Sequence, residues 1–138
     1  MKKNLLLPFL FVLVFSILQT HCGSKYSDAI KLNKEYADLM ERYVAEIDKA
    51  DDANKVATAM NRYADALEDL WPRMKQLSEK YPELKDIENQ PEELKESQSR
   101  AEEMGKKIAG TFMKIMPYME DPEVQKAQQR IFAVMGRE

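Results

Sequence analysis

A chain of 138 residues with a formal charge of −3 is long enough to bury one hydrophobic core and too short for two. The acidic balance argues against nucleic acid as a partner, because phosphate backbones are held by surplus Lys and Arg. A single cysteine and a single histidine leave no internal disulfide and no Cys/His set for a structural zinc.

The chain opens with Lys2 and Lys3 and then runs uncharged from Asn4 to Cys22, apolar from Leu5 to Leu18 except at Pro8 and Ser16. That stretch falls short of the about 20 residues that cross a bilayer. It reads as the charged start and apolar body of a signal peptide. No alanine precedes Ala29, so the small residues wanted by an ordinary signal peptidase are missing.

The run ends instead in Leu18-Gln19-Thr20-His21-Cys22-Gly23-Ser24. This resembles the lipobox of bacterial lipoproteins, in a form similar to that of spirochaetes: leucine stands four residues before the cysteine, and His21 precedes it. The resemblance implies that residues 1–21 are a signal peptide, that Cys22 is lipidated with palmitate-like chains, and that 22–26 form a lipidated tether. It also implies a cell-envelope address with the membrane as partner. Several acyl chains together anchor stably where one would not. Ser24 follows Gly23 with no retention aspartate, which by analogy favours the outer membrane over the inner.

The helical domain is expected over 27–138, and loss of Lys2 and Lys3 takes the formal charge from −3 to −5. Ser27 is the expected N-cap of a first helix from about Asp28 to Lys49, with Tyr36, Met40, Tyr43 and Ile47 spaced by four, three and four. In the second, Val56, Met60, Tyr63, Leu67, Leu70, Met74, Leu77 and Tyr81 alternate spacings of four and three. Asp51 or Asp52 caps it, the short break makes the first two helices antiparallel neighbours, and Pro72 predicts a kink near Asp69.

Glu83 to Gln90 reads as the long interhelix loop, and Pro91 as the first position of a third helix. Leu94, Ala101, Gly105, Ile108, Phe112, Ile115 and Met119 are its expected inner face. Pro117 kinks or ends it. Asp121-Pro122-Glu123 then starts a fourth, lined by Val124, Ala127, Ile131 and Val134. No strand pattern appears. The expected fold class is all-α, an up-and-down four-helix bundle with proline kinks, preceded by a signal peptide.

Glu46 to Val56, Pro91 to Lys95 and Glu123 to Gln128 resemble the soluble periplasmic b-type cytochrome bundle. That family holds haem with a methionine on its first helix and a histidine near the end of its fourth. The methionine position falls on Ala37, one turn from Met40, and the histidine position falls near Arg137. The likeness thus implies the fold without the haem ligands, and no resident cofactor is expected.

Because the only histidine is His21 and the only cysteine Cys22, triads and thiol nucleophiles are excluded from the domain, and it is not expected to be an enzyme. Met113, Met116 and Met119 offer thioethers at a spacing that can bind Cu(I), the one candidate metal site, against a reading as core fillers near Pro117. Ala101 and Gly105 mark either a close helix approach or a cavity for an apolar ligand. Tyr36, Tyr43, Tyr63 and Tyr81 read as core-edge residues. The sequence therefore points first to a non-enzymatic envelope lipoprotein with a structural or protein-interaction role and an envelope protein as partner. The alternative is a periplasmic small-ligand carrier, for a hydrophobic molecule, a porphyrin or Cu(I), using the bundle interior or the methionine run.

Overall fold

A computed structural model describes residues 25–85 and 91–136. The expected signal segment 1–21 and the expected lipidation site Cys22 lie outside the described residues. The chain folds as an all-α four-helix bundle: α1 (Ser27–Lys49), α2 (Ala53–Lys80), α3 (Glu92–Ile115) and α4 (Pro122–Met135). Single turns of tighter helix, Pro82–Lys85 and Met116–Tyr118, follow α2 and α3. Among the described residues no helix is long and apolar enough to cross a membrane.

Local chemistry sets the helix ends. Asp52 caps α2 by accepting from the Lys55 N–H at 2.7 Å. Asp121 does the same for α4, accepting from Glu123 N–H at 2.9 Å and Val124 N–H at 3.4 Å, with Pro122 in the first turn. Ser27 is not the cap of α1. The helix begins at Ser27 itself, and Asp28 accepts from the Ala29 N–H at 3.0 Å. Pro91 likewise precedes α3 rather than opening it. Pro72 sits inside an unbroken α2, whereas Pro117 marks the end of α3.

Ion pairs report how the helices run. Glu35–Arg73 (2.7 Å) and Asp28–Lys80 (2.6 Å) join α1 and α2 as antiparallel neighbours. Arg100 reaches Asp38 (2.7 Å) and Glu41 (2.9 Å), and Lys114 reaches Asp48 (2.5 Å), so α3 runs parallel to α1. Arg130 pairs with Asp65 (2.5 Å) and Glu68 (3.2 Å), laying α4 along α2. The helices alternate in direction along the chain, and α3 packs on α1, α4 on α2, and α1 on α2. The α3 and α4 pair scarcely touch.

The core follows that pattern. Ile47 and Val56 at the α1–α2 turn, Leu67 in mid α2, Leu94 in α3, and Val124 and Val134 in α4 are all but fully enclosed. Each such side chain contributes about 1.5–3 kcal/mol through burial. With 14 residues against 28, α4 covers only the first half of α2, and Met74 and Leu77 beyond it are half-buried.

Candidate functional site

The gap between α3 and α4 is a cleft of about 360 Å³. Its walls are Gly105, Ile108, Phe112 and Ile115 from α3, Met119 from the connecting turn, and Gln128, Ile131, Phe132 and Met135 from α4. Its floor comes from the α1–α2 hairpin: Tyr36, Met40, Tyr43, Met60 and Tyr63. None of these side chains carries a charge at neutral pH.

Helix α3 explains why the gap persists. The face expected to point inward included Gly105 and Phe112, but the buried stripe is Leu94, Met104, Thr111 and Ile115, with Ala101 and Ile108 half-buried. Packing on α1 turns α3 so that Thr111 is enclosed at 3% exposure, while Phe112 is 51% exposed at the mouth of the cleft. Of the two readings of Gly105, the structure rules out close approach: the residue is exposed and faces open space beside the cleft. A Cβ built there meets no atom within 4 Å.

Opposite Phe112 stands Phe132, 60% exposed, with Met135 beside it. Exposed aromatic rings that still line an apolar recess are unusual for surface side chains. Met113 and Met116, at 69% and 47%, extend the apolar rim away from the cleft. The structure does not bring the methionine run to one point: Met119 lines the cleft, and Met113 and Met116 do not. The thioethers that join Met119 there are Met40, Met60 and Met135.

The tyrosines on the stripes form the floor. Tyr43 and Tyr63 stack across the α1–α2 seam, ring centroids 4.6 Å apart and planes 29° from parallel. Burial pushes the Tyr43 phenol up to about 12, offset in part by the Thr111 hydroxyl beside it. Burial raises Tyr63 as well, and the neighbouring Tyr36 hydroxyl adds to the effect. Thr111 and Tyr36 both line the cleft, so the hydroxyl ends of the stacked pair are on the cleft side. Thr111 donates to the Ile108 carbonyl at 2.7 Å, as a hydroxyl within a helix does. Tyr81, the fourth, instead clasps the far end of the hairpin, donating to the Lys25 carbonyl (2.8 Å) and Asp28 (3.0 Å).

Thr111 was missed by sequence reasoning, as was Met104. The signal was present in the spacing Ala101, Met104, Ile108, Thr111, Ile115, a three-and-four alternation that a stripe drawn through Gly105 and Phe112 conceals. Elsewhere, many of the described acids lie on solvated faces in pairs with Lys and Arg, such as Asp51–Lys55 and Glu103–Lys107. Among the described residues no three His, Cys, Asp or Glu side chains converge as a metal site. The chain matches no protein-family model, and no curated protein or solved structure is significantly similar to it.

Proposed function

We propose that this chain is a non-enzymatic lipoprotein of the cell envelope, held by acyl groups on Cys22, that carries a small apolar molecule between α3 and α4. The observation that supports the carrier reading is the cleft itself. At about 360 Å³ it falls within the usual size range of small-molecule sites, and its walls are aromatic and aliphatic with a few polar groups at the base. Neither wall helix fills it, and Gly105 leaves it open where any other residue would narrow it. The leader pattern supports the envelope address, with the outer membrane favoured. The ion-paired, exposed setting of the acids supports a binding role over acid–base chemistry.

A second reading, a structural role with an envelope protein as partner, draws on the rim. Phe112, Phe132 and Met135 at the cleft, and Met113 and Met116 outside it, are the exposed large apolar side chains among the described residues. The two readings part in one experiment on the full chain in membrane vesicles, using a neutral alkyl diazirine as photolabel and peptide mass spectrometry as readout. Carriage predicts label concentrated on the peptides holding Phe112 and Phe132, and its loss in Gly105→Leu, which occupies the cleft. Label spread evenly along the rim, and unchanged in that variant, would favour the partner-docking role.

A further inference from the structure

We propose that the cleft selects an uncharged ligand: an apolar body bearing one hydrogen-bonding oxygen, such as an alcohol, phenol or ketone, placed against the hydroxyl floor. This deepens the carrier reading and rests on it. The cleft lining has no charged side chain. An ionised headgroup entering a recess with no charged side chain would lose its hydration without gaining a partner, a cost of several kcal/mol before any apolar contact is counted. Fatty carboxylates and alkylammonium ions are disfavoured on the same ground.

The floor offers hydroxyl groups. Four hydroxyls, those of Tyr36, Tyr43, Tyr63 and Thr111, gather at the base of walls whose one polar side chain is Gln128. Only the Thr111 proton is committed to a backbone acceptor, the Ile108 carbonyl. The phenols neighbour other hydroxyls, and among the described residues none of these three meets a carboxylate or carbonyl. Each phenol can both donate and accept, so the set receives an alcohol or a carbonyl with equal facility. A purely apolar ligand leaves these hydroxyls only one another as partners, whereas an oxygen on the ligand adds a further hydrogen bond. The stacked rings of Tyr43 and Tyr63 hold the floor rigid, so little side-chain freedom is lost on binding.

The test is competition on the full chain in vesicles, with the neutral diazirine as reporter at about pH 9, where a carboxylic acid is ionised and an alcohol is not. Decanol, decanoate, decyltrimethylammonium and decane share one chain length, and their concentrations in the vesicles are matched by partition. Decanol is expected to displace the label at least about tenfold more effectively than either ion. It should also outdo decane by about two- to tenfold, the range of one hydrogen bond. Tyr36→Phe and Thr111→Val should erase the margin over decane while leaving decane itself unchanged. Gly110→Ala, built outside the cleft where a Cβ also meets nothing, serves as the folded control. Equal competition by either ion, or no margin over decane, overturns the ligand class while leaving the carrier standing. Absence of cleft labelling by the diazirine itself overturns both.

Discussion

The two long seams of the bundle and its open side are built from the same kinds of helix and differ in what crosses between them. Along α1 and α3, Arg100 and Lys114 bind Asp38, Glu41 and Asp48, above a core that includes Met104 and Ile115. Along α2 and α4, Arg130 binds Asp65 and Glu68 above Val124, Ala127 and Val134. Between α3 and α4 there is no ion pair among the described residues, and Phe112, Phe132 and Met135 face one another apolar yet exposed. Surface ion pairs add little energy each, typically under about 1 kcal/mol. Their lesson is geometric: they index which helix each face is built to meet, and the α3–α4 faces have no such index.

The largest effect that sharpens this contrast is in truncation. Leu67→Ala, deep in the hairpin, should cost about 2–5 kcal/mol in urea unfolding. Phe132→Ala should cost under about 1 kcal/mol, because its ring is mostly outside the core. If the two costs prove similar, the α3–α4 gap is closed in solution and the contrast fails.

Next in size is a response to alkali at the floor of the cleft. Tyr43 has a folded-state value of about 12, above its ordinary value of 10. A raised value means that the protonated phenol supports the fold fully below about pH 10, and that this support is lost as pH rises through about 12. Absorbance at 295 nm should therefore show a late phenolate step coincident with loss of helix by circular dichroism. In Tyr43→Phe that step should shrink and the alkaline transition should move up. A phenolate step with its midpoint near pH 10 for all the tyrosines of the folded chain would show the floor to be wet.

The smallest effect concerns the two helix-interior glycines. Gly105→Ala and Gly110→Ala should each stabilise by about 0.5–1 kcal/mol in thermal melts, since neither new methyl meets an atom and both relieve the entropy cost of glycine in a helix. Destabilisation by Gly105→Ala would mean that α4 approaches α3 closely there.

Much of the bundle was legible in the chain. Unbroken three-and-four spacing from Val56 to Tyr81 defined α2, Asp51 or Asp52 and Asp121 marked the starts of α2 and α4, and the break at 50–52 made α1 and α2 neighbours; the structure chose Asp52 of the first two. These are local properties: amphipathic period and capping depend only on residues a turn or two apart. The orientation of α3 was not legible in the same way. Its apolar residues form two overlapping stripes, one through Met104 and Thr111 and one through Gly105 and Phe112, and period alone does not rank them.

The sequence by itself determined four amphipathic helices, the capping aspartates of the second and fourth, and a stretch after Cys22 without histidine or cysteine. Tertiary structure decided which stripe of α3 was buried, and so placed three stripe tyrosines and Thr111 on the floor of one cleft while leaving Met113 and Met116 outside it. The physical reason is that burial of a helix face is settled by the partner it meets. For α3 that partner is α1 and not its chain neighbour α4, a choice made by contacts more than fifty residues apart, such as Arg100 with Glu41.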